Sequence, residues 1–242
     1  MKNFKKLIQL VFVLGVSLIL INSAQARDLK ASIGYVPVLC ETPDKGILID
    51  LLKAMDEVYT DGKIIINVYP PARAIDNVVK GSHDFFAPFL KSKNMDPDAL
   101  PFRLFEALWK TPFLLYANKD VDIDMNNLGN YKLETNPVAI HFFDFPLQPF
   151  ASAESSLKKV DMGRIDGLIY AMNETDTLLK RLGLKNVKRI YFDAFDAPIL
   201  VAKGQKGDEV EKILSPLLKK LRDNGTYAQV LGPMLNQKFQ EW

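Results

Sequence analysis

One short connection occurs twice in the sequence and constrains the fold more than any other feature. Residues 80–87 read KGSHDFFA and residues 162–171 read MGRIDGLIYA. In each copy an amphipathic segment ends at glycine, aspartate follows three residues later, and an apolar run comes next. Glycine tolerates a positive φ at a helix end, aspartate can hold backbone N–H groups in a turn, and the apolar run is typical of a strand buried on both faces. Two copies predict two α/β units, each with its own small sheet, although this connection is common enough that the repeat alone also fits unrelated α/β folds.

The first half of the chain alternates strand and helix patterns. Strands are predicted over 29–35, 63–69 and 85–90, and helices over 46–59 and 72–81. A β-α-β-α-β order predicts a parallel sheet with covering helices, and ligands of such sheets bind beyond the carboxyl ends of the strands. We therefore expect the binding residues to follow these strands.

The second half repeats the alternation less regularly. The patterns predict strands over 102–120, broken at Pro112, then over 131–143, interrupted by Pro137, and over 165–171, 187–192 and 197–204; helices are predicted over 152–163, with Ser152 as N-cap, over 174–184, and from Asp208 to Leu221. The sequence thus predicts a mixed α/β protein.

The amino terminus has the pattern of a secretory signal. Lys2, Lys5 and Lys6 precede an apolar run over 7–21, and Ala24-Gln25-Ala26 has the small-x-small form of a cleavage site. The pattern predicts cleavage after Ala26 and a periplasmic, soluble mature chain. The alternative is a retained membrane anchor, but the run of about 15 residues is shorter than the ~20 that span a bilayer.

Charge and cysteine usage exclude several functions. Removal of residues 1–26 leaves 28 Lys and Arg against 29 Asp and Glu, so the mature chain is nearly neutral and shows no charge pattern for nucleic-acid binding. The single cysteine, Cys40, cannot form an intrachain disulfide, and core burial must supply the stability. The sequence contains no Gly-x-Ser-x-Gly, His-Glu-x-x-His, Cys-x-x-Cys or phosphate-cradling motif, so neither a metal nor a cofactor is expected.

Four segments together resemble the type-2 periplasmic solute-binding proteins of family 3, the substrate-binding subunits of ABC importers. The segments are GILIDLLKAM, ARAIDNVVKGSHDFFAP, SSLKKVDMGRIDGLIYA and GDEVEKILSPLLKKLRDNGTYAQVLGPML, and the resemblance covers nearly all of residues 28–236. It implies a monomer with two lobes, each a mixed, mostly parallel sheet flanked by helices. Lobe 1 would comprise 27–115 plus 197–242 and lobe 2 would comprise 116–196, with hinge crossings near 116–120 and 193–196.

The resemblance also implies a mode of action. A small-molecule ligand would bind in the cleft between the lobes, and hinge closure would bury it. A membrane permease would then recognise the closed form. A sensor that passes its closed form to a membrane receptor is an alternative that the sequence does not separate from transport.

The chain departs from the family at the positions that hold an amino-acid ligand. Members hold the ligand carboxylate with an arginine after the third strand, whereas this chain offers only Lys91, Lys93 and the distant Arg103. The aspartate that holds the ligand ammonium is replaced at about Ala171. The small Gly/Ser/Thr turn of lobe 2 is HFFDF, residues 141–145. Because an unpaired buried charge costs several kcal/mol, the sequence predicts that the ligand is not a standard α-amino acid.

Aromatic and polar residues near the predicted strand ends are the candidate ligand contacts. The aromatic candidates are Tyr35, Tyr69, Phe89, Trp109, Phe142 and Tyr170, and the polar candidates are Arg73, Lys91, His141, Asp144 and Asn173. Aromatic rings suit a planar, partly apolar ligand or a cation held over ring faces, and Arg73 suits a carboxylate. The alternatives are that the rings form the lobe cores and that Arg73 makes a structural salt bridge.

An enzymatic function is the competing hypothesis. Cyclohexadienyl dehydratase shares the binding-protein fold, and acid–base chemistry of that kind would use a histidine or a carboxylate in the cleft. His141, Asp144 and Glu174 are the candidates, while His83 is expected at the surface. The sequence favours a binding protein over an enzyme.

Overall fold

The computed structural model describes residues 27–92 and 95–240. The predicted signal sequence, residues 1–26, lies outside this part of the chain, and so does the side chain of His141. Among the described residues no helix is both long enough and apolar enough to cross a membrane.

Eight strands and six α-helices form in the described residues. The strands are β1 (Leu29–Gly34), β2 (Ile64–Tyr69), β3 (Phe85–Phe86), β4 (Phe102–Asn118), β5 (Leu133–Thr135), β6 (Gln148–Pro149), β7 (Gly167–Ala171) and β8 (Val187–Ala202). The helices are α1 (Ile47–Val58), α2 (Pro71–Val79), α3 (Ala153–Asp161), α4 (Met172–Leu182), α5 (Gln205–Asp223) and α6 (Thr226–Leu235). The N-cap predicted at Ser152 is confirmed, because its hydroxyl accepts a hydrogen bond from the backbone N–H of Ser155 at 3.1 Å.

The strands form one sheet in the order β2-β1-β3-β8-β4-β7-β5-β6. The outer strands pair in parallel at both ends of the sheet, β1 with β2 and β3, and β5 with β6 and β7. The long central strands β4 and β8 run antiparallel to each other and to their outer neighbours. This arrangement is the predicted mixed α/β fold with two long crossing strands.

The two crossing strands are longer than the sequence patterns predict. The predicted break of β4 at Pro112 is wrong, since Pro112 pairs with Ala194 inside a continuous strand. The predicted interruption of β8 between residues 192 and 197 is also wrong, since one continuous strand runs over Val187–Ala202. Register shifts between Ala107 and Lys110 and between Phe113 and Leu114 bend the ladder, and bulges of this kind accommodate a proline that lacks the N–H group.

The predicted strand over 131–143 is also wrong over most of its length. Only Leu133–Thr135 forms a strand, and a 3₁₀ helix follows over Pro137–Phe142. The side chain of Asn136 accepts a hydrogen bond from the N–H of Val138 at 2.9 Å and so caps this helix. Pro137 at the first helical position favours the helix, since proline fixes a helical φ.

The hydrophobic core separates into two sets of clusters, and we call the halves around them lobe 1 and lobe 2. Lobe 1 contains residues of β1–β3, α1, α2, α5 and α6 together with one end of β4 and of β8. Lobe 2 contains residues of α3, α4, β5 and β7 with the other ends of the same two strands. Trp109 packs in lobe 1 and Phe113 in lobe 2, so β4 crosses between them. Likewise Phe195 packs in lobe 2 and Ala197 in lobe 1, so β8 crosses there.

The twice-occurring connection has the geometry that the sequence predicts. Gly81 and Gly163 both adopt positive φ, +76° and +65°. The carboxylate of Asp84 accepts the backbone N–H of Lys30 at 2.7 Å, at the start of β1. Each copy therefore joins a helix end to a neighbouring strand by the same device, since Asp166 makes the equivalent contact in lobe 2 at 2.6 Å.

Candidate functional site

A groove lies at the carboxyl ends of β1 and β2 in lobe 1. Its volume is about 490 Å³, and its walls include Tyr35, Tyr69, Glu41, Thr42 and the Pro70-Pro71 pair. Tyr35 is 50% exposed, so its ring is open to solvent. The backbone N–H of Tyr35 donates to the carbonyl of Tyr69 at 2.8 Å, and this bond holds the two aromatic residues side by side. The structure thus brings two predicted ligand contacts into one groove.

Arg73 extends the same site from the first turn of α2. Its guanidinium carbon lies 5.0 Å from the centre of the Tyr69 ring, which is a cation–π contact. The hydroxyl of Tyr69 lies 3.3 Å from Nε2 of His83. The expected surface position of His83 is wrong in part, because the side chain is half-buried against Tyr69 and burial lowers its pKa.

A second group of polar side chains lies at the carboxyl ends of β5 and β7 in lobe 2. The hydroxyl of Tyr170 accepts a hydrogen bond from Nδ2 of Asn136 at 3.2 Å and also hydrogen-bonds with the carboxyl group of Glu174. Burial raises the pKa of Glu174, and the hydrogen bond with Tyr170 offsets part of that rise. No ion pair reaches Glu174 within residues 27–92 and 95–240. The carboxyl group is therefore a half-buried acid without an ion-pair partner in the described chain.

Sequence reasoning missed Asn136 and placed Glu174 only among possible catalytic residues. A signal for Asn136 exists, because asparagine directly before proline favours a turn or a helix start. Its side chain does both jobs, capping the 3₁₀ helix through its oxygen and contacting Tyr170 through its nitrogen.

Aromatic rings surround the lobe 2 group. The ring of Tyr170 packs edge-on against Phe113 at 6.0 Å and against Phe150 at 5.2 Å. Phe142 lies 6.0 Å from Phe195, which belongs to the crossing strand β8. These contacts place one face of the group beside the hinge.

Two predicted aromatic contacts pack inside lobe 1. Trp109 is only 4% exposed and donates from Nε1 to the hydroxyl of Thr111 at 3.0 Å. Phe89 packs against Phe102 at 5.1 Å. Their positions favour a packing role, which is the alternative that the sequence left open.

The remaining predicted contacts are dispersed. The backbone N–H of Lys91 donates to the carbonyl of Asp196 at 2.9 Å, so Lys91 lies against the crossing of β8. Asp144 is exposed. Asn173 lies 3.8 Å from the sulfur of Met234, between α4 and α6. Arg103 is committed elsewhere, because its guanidinium pairs with Asp208 at 3.0 Å and with Glu211.

A larger cavity, about 740 Å³, lies at the carboxyl end of α4. Lysine and aliphatic residues line it together with Gly183 and Arg189; the other lining residues are Lys119, Leu179, Lys180, Leu184, Lys185, Val187 and Lys188. None of the predicted ligand contacts lines this cavity. Among the described residues no group of three or more His, Cys, Asp and Glu could hold a metal ion.

Comparison with known proteins identifies the fold. No family model and no curated protein matches the sequence. A histidine kinase sensor domain with similarity to periplasmic binding proteins superposes with a TM-score of 0.68 at 17% identity, over 88% of this chain and 97% of that one. A probable amino-acid ABC transporter extracellular-binding protein from Bacillus subtilis superposes with a TM-score of 0.66 at 14% identity, over 88% of this chain and 100% of the other.

A third structure belongs to a reconstructed ancestor. It is an ancestral amino-acid-binding protein described as a precursor of cyclohexadienyl dehydratase, with a TM-score of 0.63 at 14% identity over 86% of this chain and 95% of that one. The three structures are similar to this chain over nearly its whole described length. The chain therefore has the two-lobed α/β fold of the type-2 periplasmic binding proteins.

Proposed function

We propose that this chain is an exported solute-binding protein that captures a small organic ligand in the cleft between lobe 1 and lobe 2 for an ABC importer. Cleavage after Ala26 would release a periplasmic monomer. In this proposal the cleft lies where β4 crosses between Trp109 and Phe113 and where β8 crosses between Phe195 and Ala197. The fold supports the proposal, because ligands of α/β sheets bind beyond the carboxyl ends of the strands and both polar groups described above lie at such ends.

The observation that carries the proposal is the half-buried carboxyl group of Glu174 beside Tyr170. Its pKa is raised by burial, and no cation in the described chain compensates it. An anion that is partly withdrawn from water and has no partner is costly, so a cationic group of a ligand placed here would offset that cost. The ring of Tyr170 offers such a cation a π-face, and Asn136 fixes the orientation of the ring hydroxyl. We therefore infer that lobe 2 binds a positively charged end of the ligand.

The apolar or planar part of the ligand would lie on lobe 1. Tyr35 and Tyr69 line a groove with two prolines, which suits aromatic or aliphatic contact. Arg73, held over Tyr69, would meet any acidic substituent at the groove. Phe142 and Asp144 would approach from lobe 2, at the turn before β6.

A standard α-amino acid fits this site poorly. The arginine that members of the resembled family use for the α-carboxylate is absent, and Arg103, the nearest arginine along the chain, is paired with two carboxylates of α5. Lys91 contacts the crossing strand through its backbone. We propose an organic amine or quaternary ammonium compound without an α-carboxylate as the ligand class.

A thermal-shift screen tests the proposal. The mature chain is heated with a panel of organic amines, aromatic acids and the twenty amino acids, because a ligand that binds only the folded state raises the melting temperature. An organic amine should raise it, and Glu174→Gln should abolish that shift while the matched variant Glu154→Gln, on the exposed face of α3, keeps it. Calorimetric binding of a common amino acid at micromolar concentration, or an amine shift that survives Glu174→Gln, would overturn the proposed ligand class.

The enzymatic alternative rests on the same carboxyl group. A half-buried glutamic acid with a raised pKa holds its proton to a higher pH than a free carboxyl group does, and general acid catalysis of a dehydration would use such a proton. The test is recovery of the bound ligand: mass spectrometry of the released compound finds it unchanged if the protein only binds it. A new product that forms in the presence of the wild-type chain and not of Glu174→Gln would establish the enzyme instead.

A further inference from the structure

The chain makes a third passage between the lobes after its last helix. Helix α6 belongs to lobe 1, where Tyr227 and Leu231 are buried in the core and Met234 packs against it. The chain then leaves lobe 1. We call residues 236–240 the C-terminal segment.

The C-terminal segment ends on lobe 2. Phe239 packs against the lobe 2 cluster that contains Leu157 and Leu179. Its ring lies 6.0 Å from the ring of Tyr191 on β8, and the guanidinium of Arg189 lies 5.2 Å from its centre. Only four residues separate Met234 in lobe 1 from Phe239 in lobe 2, so the segment spans the two lobes directly.

Arg189 attaches the end of the segment to the interior of lobe 2. Its side chain is 6% exposed and pairs with Asp176 of α4 at 2.6 Å. The other end of the guanidinium donates to the backbone carbonyl of Gln240 at 2.8 Å. Asp176 in turn accepts the hydroxyl of buried Tyr116 at 2.8 Å. A buried, charge-assisted network of this kind gives a well-defined attachment point.

A second junction between the lobes lies at Met234 of α6, just before the segment. The sulfur of Met234 lies 3.3 Å from Nε2 of Gln237 and 3.8 Å from Nδ2 of Asn173, which is on α4. Asn173 is one of the predicted ligand contacts, and in the structure its side chain lies at this junction. The near end of the segment is therefore held to Met234, which itself contacts lobe 2, and the far end packs on lobe 2 directly.

We propose that the C-terminal segment is a strap that restricts rotation of the two lobes in the ligand-free protein. The two crossing strands form a paired ribbon that allows bending at its register shifts, while the strap fixes α6 of lobe 1 to α4 and β8 of lobe 2. A change in the angle between the lobes would require the contact at Phe239 or the junction at Met234 to rearrange. The strap thereby adds to the free-energy difference between the open and closed arrangements, which sets the apparent ligand affinity.

The test measures the distance between the lobes without any ligand, so its result does not depend on the proposed function. Spin labels are attached at Asp44→Cys on lobe 1 and Val138→Cys on lobe 2, both exposed positions, while Cys40 is fully buried and can stay. Phe239→Ala should broaden the distance distribution measured by pulsed electron paramagnetic resonance. Lys238→Ala, an exposed neighbour in the same segment, should leave it unchanged. Equal widths for both variants and the wild type would overturn the strap.

A nuclear magnetic resonance measurement on the unmodified chain covers the case of a variant that fails to fold. The rings of Phe239 and Tyr191, whose centres lie 6.0 Å apart, should show nuclear Overhauser contacts between their protons. The absence of any such contact between assigned ring protons would also overturn the proposal, whatever the variants do.

Discussion

The carboxylate of Asp166 accepts a hydrogen bond from the backbone N–H of Lys132 at 2.6 Å, and the backbone N–H of Asp166 donates to the backbone carbonyl of Lys132 at 3.0 Å. This two-way contact fixes the start of β7 beside the chain that enters β5. Removal of the side chain in Asp166→Ala should lower the free energy of unfolding by about 1–2 kcal/mol, because a backbone donor loses a charged acceptor. Urea denaturation of Asp166→Ala and of Asp122→Ala, an exposed aspartate nearby, measures the difference; equal midpoints would contradict it.

The equivalent substitution in lobe 1, Asp84→Ala, should lower the free energy of unfolding by more than Asp166→Ala does. Asp84 is buried, accepts the N–H of Lys30 and also pairs with Arg27 at 3.0 Å and with Lys206 at 3.7 Å. Asp84→Ala removes all three contacts, so its midpoint in urea should fall below that of Asp166→Ala. An Asp84→Ala protein that is as stable as the wild type would show that the connection does not depend on its aspartate.

The glycine of the same connection should be hard to replace. Gly163 has φ +65°, and an added Cβ would find no protein atom closer than 3.9 Å, so the expected loss is conformational and not steric. Gly163→Ala should cost about 1–2 kcal/mol of unfolding free energy. Gly129→Ala is the matched control in the same lobe, because its backbone φ is not positive and its nearest contact is an ordinary 3.5 Å. Calorimetric melting of both variants distinguishes the two effects.

The sequence predicted the parts of the fold that repeat a local pattern. A glycine at a helix end and an aspartate three residues later predict the connections at Gly81 and Gly163, because the role of each residue depends only on its neighbours in the chain. The continuity of β4 through Pro112 could not be predicted, because the bulged partner strand that tolerates a proline lies about 80 residues away. Pairing with β8 therefore keeps β4 continuous although the proline by itself predicts a break.

The candidate site was predictable where a residue follows a strand directly. Tyr35 follows β1 directly, Tyr69 ends β2, and Tyr170 is the last residue but one of β7. Trp109 was harder to place, because the bends of β4 decide whether its indole faces the cleft or the core. The raised pKa of Glu174 depends on partial burial by elements that are distant in sequence, and its lack of a cationic partner is visible only in three dimensions.

Glu174 should make the stability of the protein depend on pH. Because burial raises its pKa in the folded state, the folded protein holds this proton to a higher pH than the unfolded chain does. The stability contributed by the protonated group is complete below the unfolded value, about 4.3, and is lost as pH rises through the folded pKa. The unfolding free energy of the wild type minus that of Glu174→Gln should therefore fall as the pH is raised above about 4.3.

Glu154 supplies a control of opposite sign. Its pKa is lowered by a hydrogen bond and charge attraction from Lys158. Its stabilising contribution is therefore present above the unfolded value and is lost as pH falls. The difference between wild type and Glu154→Gln should rise with pH, and parallel pH profiles for the two variants would contradict the assignment.

Alanine variants of Trp109 and Tyr35 should differ in stability, because one ring packs in the core and the other is a candidate ligand contact. Trp109→Ala removes a buried ring and should cost about 3–5 kcal/mol of unfolding free energy. Tyr35→Ala changes a half-exposed side chain and should cost under about 0.5 kcal/mol. A compound that raises the melting temperature of the wild type should do so less in Tyr35→Ala. A large loss of stability on Tyr35→Ala would place that ring in the core instead.

Cys40 should report on the loop that carries Tyr35. Its sulfur is fully buried and donates to the carbonyl of Gly34 at 2.7 Å, and burial raises the pKa of the thiol to about 12. Since the thiolate is the reactive form, alkylation at pH 8 should be far slower than that of a free thiol and should proceed only through opening of the loop. The backbone of Cys40 pairs with Val36, next to Tyr35, so a ligand that holds Tyr35 should slow the labelling further. Mass spectrometry after timed exposure to iodoacetamide measures both rates, and rapid labelling of the native protein would mean that this loop opens freely.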